Sequence, residues 1–324
     1  MSLPVEGNAP SLAGATGWLN SPPLEMSDLR GRVVVVNFCT YTCINWIRTL
    51  PFVRAWEERY RDDGLVMIGA HTPEFSFEHD HGNIETALRQ MNVTWPIAID
   101  DDYEVWRAFA NHYWPALYVI DVQGRIRHHH FGEGEYENSE LAIQQLLTEA
   151  GVSGIEPGFV QPVEQGAEVQ ADWDSLGSAE TYLGYAQATG FASTPELVPD
   201  VLQAYALPGS LARNRWGLTG EWTVTAEAST SDTPGGRITY RFTARDVNLV
   251  MGPRAPGSPV GFRVTLDGDA PEDANGIDVR VDGSGTLIEQ RMYQLIRQPG
   301  PIVDRLFEIE FLDAGAQALC FTFG

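Results

Sequence analysis

The chain has 324 residues, enough for two domains with separate cores, and 21 basic against 44 acidic residues give it a formal net charge of −23. Every basic residue is arginine, so Schiff-base chemistry on a lysine is excluded, and nucleic acid or an anionic membrane is a poor partner for so acidic a surface. The cysteines at 39, 43 and 320 are too few for a disulfide framework and fit no zinc spacing, so no metal and no cofactor is expected; no run approaches the ~20 apolar residues of a membrane span.

Met1-Ser2-Leu3-Pro4-Val5-Glu6 has neither a basic start nor an apolar run, so the expected compartment is the cytoplasm, or an extracytoplasmic one if a leader has been removed. Residues up to about 32 are rich in Gly, Pro and Ser, and Gly17 to Pro23 reads as a small hairpin turn. Val33-Val34-Val35-Val36-Asn37-Phe38 then reads as a strand buried on both faces, the mark of a parallel sheet covered by helices. A polar turn follows, and from Ile44 apolar residues recur at Ile47, Leu50, Val53, Trp56 and Tyr60 with charges between them, the pattern of an amphipathic helix. Leu65 to Ala70 is a second buried strand. A helix from about Glu78 to Met91, a strand at Trp95 to Asp100, a short helix from Tyr103 to Ala110, strands after Pro115 and from Arg125 to Phe131, and a helix from about Asn138 to Ala150 complete a βαβαβαββα order.

Gly151 to Ala171 has little periodicity and reads as a linker, giving domains at 1–150 and 172–324. Beyond it, strand alternation appears at 221–226, 237–243, 247–251, 260–266, 277–281, 291–296, 306–311 and 318–323, separated by Gly, Pro and Asp turns. Eight short strands so spaced predict an all-β sandwich of jelly-roll type.

Cys43 opens the first helix, where unpaired backbone N–H groups and the positive end of the helix dipole favour a thiolate. A strand ending in Phe38-x-x-x-x-Cys43, Pro51 eight residues further on, and Tyr113-Trp114-Pro115-Ala116-Leu117-Tyr118-Val119-Ile120-Asp121 together resemble the redoxin/TlpA branch of the thioredoxin superfamily. The resemblance implies a thioredoxin fold with the extra strand and helix of that branch, and a cis Pro115 that sets the backbone of Trp114 beside Cys43 to receive an extended substrate. Ser178 to Tyr185, Arg291 to Ile296 and Ala318 to Gly324 resemble the C-terminal module that follows the thioredoxin-like domain in DipZ-type proteins, so the resemblance covers almost the whole chain.

The departures from the pattern bear on chemistry. Where a dithiol enzyme has Cys-x-x-Cys this chain has Cys43-Ile44-Asn45-Trp46, and where many thioredoxins carry a buried aspartate it has Asn37. Cys39 offers Cys-x-x-x-Cys, but a disulfide needs Cα atoms within about 7 Å and four extended residues span up to ~13 Å. A packed, inert Cys39 is therefore expected, and Trp46 is expected to pack rather than to read substrate. Thr40-x-x-Cys43 also matches the Thr-x-x-Cys of AhpC/TSA-type peroxiredoxins, although Val36 stands where that motif has proline.

His71, Glu74 and Glu78, with His79, Asp80 and His81, follow the second strand where this fold's loops approach the active end of the sheet. They are candidate proton acceptors for Cys43, and too weak a set for metal. His128 to His130 alternate across a strand and read as a surface edge. Trp173, Tyr182, Tyr185, Trp216, Trp222 and Tyr293 include a candidate sugar-stacking platform, and Cys320 is expected to be a buried apolar residue. The reading is a monothiol thiol-disulfide oxidoreductase of redox homeostasis acting through Cys43, with a thiol or disulfide substrate and a glutathione-like small thiol to resolve it. A thiol peroxidase with antioxidant activity, and a non-catalytic binding protein whose C-terminal domain takes a glycan or protein ligand, are the alternatives.

Overall fold

The computed structural model describes residues 2–324. They form two compact units, one ending at Glu168 and the other spanning Val169–Gly324.

The first unit runs β1 (Gly7–Asn8), β2 (Gly17–Leu19), β3 (Val33–Cys39), α1 (Ile44–Tyr60), β4 (Leu65–His71), α2 (His81–Gln90), β5 (Ile97–Ile99), α3 (Glu104–Ala108), β6 (Ala116–Ile120), β7 (Arg125–Phe131) and α4 (Tyr136–Glu149). Its sheet has the order β1-β7-β6-β3-β4-β5-β2, with β3 parallel to β4 and antiparallel to β6. All seven residues of β3 are buried, as its apolar run requires of a strand flanked on both sides. Val34, Val36 and Phe38 share one face and pack with Ile68, Ala70, Tyr118 and Ile120. Gly17–Leu19 is an edge strand pairing with β5, not a hairpin, and it closes one side of the sheet while β1 lies along β7 at the other.

Helix α2 starts later than its apolar spacing suggests. Ser76–His79 is a 3-10 turn, and the Asp80 carboxylate accepts the N–H groups of Gly82 at 2.8 Å and Asn83 at 3.1 Å, so the cap defers the helix to His81. Within segment 151–171, the carbonyls of Glu156 and Gly158 accept from Arg59, Val160 N–H donates to Glu140, and Glu168 pairs with Arg54.

The second unit contains β8 (Thr181–Tyr182), β9 (Leu202–Tyr205), β10 (Arg215–Val224), β11 (Ser229–Ser231), β12 (Gly236–Phe242), β13 (Asp246–Pro253), β14 (Val260–Leu266), β15 (Ser284–Leu287), β16 (Arg291–Arg297), β17 (Arg305–Phe311) and β18 (Ala316–Phe323). It is an all-β domain whose sheet runs β15-β14-β17-β12-β10-β11-β18-β13-β16. Strand β10 joins its two halves: Arg215 to Thr219 pair with β12, and Trp222 to Val224 pair with β11. Between them Gly220 has φ +97°, a conformation glycine adopts at no steric cost, and the strand changes sheet there. The core between the halves holds Trp216, Trp222, Tyr240, Phe262, Tyr293 and Phe307.

The strand expected at 277–281 is irregular. Ile277 and Val281 are exposed and only Val279 is buried, because the Asp278 side chain takes the Gln294 N–H and pairs with Arg291, pinning the segment as a turn. The next strand is β15, which pairs with β14 at the other end of the sheet order and whose Ser-Gly-Thr-Leu sequence carries almost no β signal.

Candidate active site

Strand β3 delivers the chain to a turn at Thr40-Tyr41-Thr42, closed by the Cys43 N–H donating to the Thr40 carbonyl at 3.2 Å. Cys43 has extended dihedrals (φ −72°, ψ 112°), while its carbonyl already accepts the Ile47 N–H at 3.0 Å, which makes it the N-cap of α1. It is half-buried, whereas Cys39 and Cys320 are fully buried, and the three cysteines form no disulfide. The Cys43 thiol reaches the Trp114 carbonyl oxygen at 3.8 Å, and the Trp114–Pro115 peptide bond is cis. Cys43 and the proline loop, Trp114 lying 71 residues further along the chain, thus meet at one end of the sheet.

Trp114 is held from behind. Its indole N–H donates to the Thr72 carbonyl at 3.1 Å, and its ring lies 4.3 Å from that of Trp106. Thr72 is fixed in turn by its hydroxyl on Asp100 at 3.0 Å, and Asp100 also accepts the N–H groups of Val105 and Trp106, each at 2.8 Å. Burial pushes the Asp100 carboxyl up, against the pull of those hydrogen bonds.

Trp46 and Asn37 are in direct contact. The Trp46 indole N–H donates to Asn37 Oδ1 at 2.8 Å, and the Asn37 amide donates to the Ala116 carbonyl at 3.4 Å. Trp46 is 1% exposed, so it touches no substrate and acts, if at all, through what it packs against. Cys39 faces the interior, where burial, reinforced by the charge of Glu78, holds its thiol far above the usual range. It is therefore not a second nucleophile.

Glu78 is fully buried and knits the loop after β4 to the Cys43 turn. Its carboxyl accepts the Thr42 hydroxyl at 2.6 Å and the N–H groups of Glu74 and Phe75 at 2.6 and 3.0 Å. Burial pushes its pKa up while these hydrogen bonds oppose the shift. Glu74 itself is half-buried and enters the network through its backbone. Thr40 is buried and contributes its carbonyl to the turn. His71 is buried beneath Tyr41, stacked at 5.8 Å, and burial pushes it down to about 3. It is a neutral core histidine at any ordinary pH.

His79 and His81 both face Asp101, at 3.4 and 3.0 Å, rather than Cys43. Among the described residues no group of His, Cys, Asp or Glu has the arrangement to hold a metal ion. Trp216, Trp222 and Tyr293 belong to the core of the second unit, so they cannot form a sugar platform; Trp173 and Tyr185 remain exposed. Thr42, Thr72, Asp100 and Trp106 are the site residues that sequence reasoning passed over. Only Thr42, adjacent to Cys43, carried a positional hint.

Comparison with known proteins assigns these two halves. Residues 7–129 match the AhpC/TSA family and residues 178–324 match the thioredoxin like C-terminal domain, so the chain joins an AhpC/TSA-type thioredoxin-like domain to that module. Protein DipZ of Mycobacterium tuberculosis is 37% identical over 251 residues, a match covering 76% of this chain and 35% of DipZ. The chain therefore spans about a third of that relative's length. Thiol-disulfide oxidoreductase YkuV of Bacillus subtilis is 28% identical over 140 residues, covering 43% of this chain and 94% of YkuV. A solution structure of a thioredoxin-like protein in the oxidized form aligns with 28% identity and a TM-score of 0.41, over 44% of this chain and 96% of that one.

Proposed function

We propose that the N-terminal domain carries out thiol-disulfide exchange through Cys43 as a single nucleophile. The Cys43 thiolate attacks one sulfur of a substrate disulfide; the new S–S bond forms as the old one breaks, and the other half leaves as a thiolate that takes up a proton. A small thiol of the glutathione type then attacks the mixed disulfide, carrying the bound half away as a second disulfide and returning Cys43. Electrons balance across the two exchanges, with the external thiol as reductant.

The observation that carries this reading is the placement of a half-exposed cysteine at the start of α1, with its sulfur 3.8 Å from the carbonyl that precedes cis Pro115. The orphan N–H groups of the first helical turn stabilise negative charge on that sulfur. The open backbone of Trp114 is suited to line up an extended peptide beside it. The resemblance to YkuV, named a thiol-disulfide oxidoreductase, supports the same class.

Incubation with oxidised glutathione tests it: the wild-type protein gains one glutathione on the peptide bearing Cys43, and Cys43→Ser gains none. A wild-type protein that stays unmodified under conditions that modify free cysteine would remove the proposal. Hydrogen peroxide is a second candidate oxidant, favoured by the Thr40-x-x-Cys43 spacing; it requires peroxide to oxidise Cys43 faster than it does free cysteine.

A further inference from the structure

The Trp114 carbonyl lies 3.8 Å from the Cys43 sulfur, so the setting of this one residue fixes the backbone edge beside the thiol. Its indole is held at two places. The ring N–H donates to the Thr72 carbonyl at 3.1 Å, and the ring packs at 4.3 Å on Trp106, which in turn meets Phe38 of β3 edge-on at 5.7 Å. Both supports end on one carboxyl. Asp100 Oδ2 accepts the Thr72 hydroxyl at 3.0 Å and the Trp106 N–H at 2.8 Å, and Oδ1 accepts the Val105 N–H at 2.8 Å. The Asp100 backbone closes the frame: its N–H donates to the His71 carbonyl at 2.8 Å and its carbonyl accepts the Tyr103 N–H at 3.0 Å, while the Tyr103 hydroxyl donates to the Pro73 carbonyl. A carboxylate suits this place because both its oxygens accept, whereas an asparagine would turn an NH2 group toward one of the donors. Asp100 and Thr72 are fully buried, so neither touches a substrate. Cys43 is set by different contacts, its N–H on the Thr40 carbonyl and its carbonyl on the Ile47 N–H.

We infer that Asp100 is a positioning residue for polypeptide substrates: through Thr72 and Trp106 it holds the Trp114 edge at the setting where an extended chain pairs with it, so that the domain selects disulfides carried on an extended polypeptide over small ones. This rests on the exchange chemistry proposed above and names the substrate class that the same site takes. Main-chain pairing supplies affinity only where the receiving edge is fixed, and a fixed edge needs supports that are themselves locked. A small disulfide has no peptide groups to pair and gains nothing from the edge, so the frame around Asp100 acts on one class of substrate and not on the other.

The test uses the full chain with a peptide carrying a single disulfide and, separately, with hydroxyethyl disulfide. Formation of the mixed disulfide on Cys43 is followed by intact mass against the concentration of each. The wild type is expected to react faster with the peptide, at a rate that saturates. In Asp100→Asn and Thr72→Val the half-saturating peptide concentration is expected to rise about tenfold while the maximal rate changes less, and the preference for peptide over the small disulfide to fall by the same factor. Thr72→Ser, which keeps the hydroxyl, is expected to behave as wild type. A purely structural role would lower both rates together, so folded Thr72→Val with an unchanged preference overturns the inference, and so does a wild type that shows no preference. Should Asp100→Asn fail to fold, the comparison of Thr72→Val with Thr72→Ser still decides it. A wild-type Cys43 that takes up neither disulfide would instead remove the exchange reading on which the inference rests.

Discussion

Replacing Glu78 tests how the Cys43 turn is held. Its carboxyl accepts the Thr42 hydroxyl at 2.6 Å and the N–H groups of Glu74 and Phe75 at 2.6 and 3.0 Å. Glu78→Ala takes the acceptor from all of them inside the protein, where each buried group left unmade costs roughly 1–3 kcal/mol. Part of this is offset by the desolvation of the buried carboxyl, the cause that raises its pKa. The net expectation is a loss of ~2–4 kcal/mol for Glu78→Ala and ~1–2 kcal/mol for Glu78→Gln, whose oxygen retains part of the set. The pH dependence has a definite sign. A carboxyl raised on folding is protonated in the native state where the unfolded chain, titrating near ~4.3, has lost its proton; the stability it contributes is therefore greatest at low pH and falls as pH rises from ~4.3 through the raised value. The advantage of wild type over Glu78→Gln should shrink over that window. Urea titration of the full chain, with exposure of the buried Cys39 to a thiol reagent as the probe of the N-terminal domain, measures both effects. A Glu78→Ala midpoint equal to wild type, with native Cys43 alkylated at an unchanged rate, would refute the role given to this carboxyl.

Iodoacetamide applied to the native protein should label Cys43 and leave Cys39 and Cys320 unmodified until denaturant is added, as peptide mapping will show; labelling of Cys39 in the native state would contradict its burial. His71, lowered to about 3, binds a proton in the unfolded chain well before it does in the fold, so its contribution to stability is complete above ~6.5 and is lost as pH falls toward about 3. His71→Phe, which keeps the stack on Tyr41, should flatten that acid-side loss by ~3–5 kcal/mol at full extent, and equal slopes for the two proteins would contradict it. Residues 172–324 expressed alone should give a fragment with a cooperative melt, because their core of Trp216, Trp222, Phe262 and Phe307 is drawn from their own strands; a fragment that aggregates without the preceding residues would count against the boundary.

The first domain was readable in sequence because its strands and helices each carry a pattern of their own. The Val33–Phe38 run can only be a strand buried on both sides, and the spacing from Ile44 to Tyr60 fits a helix packed along one face, so Cys43 fell at the junction by exclusion. What was hidden is what depends on tertiary contact. Asn37 and Trp46 were visible as departures, yet nothing in spacing says that an amide and an indole nine residues apart meet at 2.8 Å. Glu78 read as the start of a helix and a candidate proton acceptor for Cys43, whereas it lies in a 3-10 turn with its carboxyl buried on the Thr42 hydroxyl. Ile277 to Val281 had the alternation of a strand and Ser284 to Leu287 did not: the first is pinned as a turn by the Asp278 contacts, and the second pairs with β14 where Gly285 lies against Phe262 and any larger residue would collide with the ring.

The central claim is that Cys43 is the reacting group of a thiol-exchange site, and the most direct measurement is the rate at which it forms a mixed disulfide. Native protein mixed with a peptide carrying a single disulfide, quenched in acid at intervals and read by intact mass and peptide mapping, should show one adduct, on Cys43, formed faster at pH 7 than on free cysteine under the same conditions. An adduct that forms no faster than on free cysteine, or that maps to Cys39 or Cys320, would contradict it.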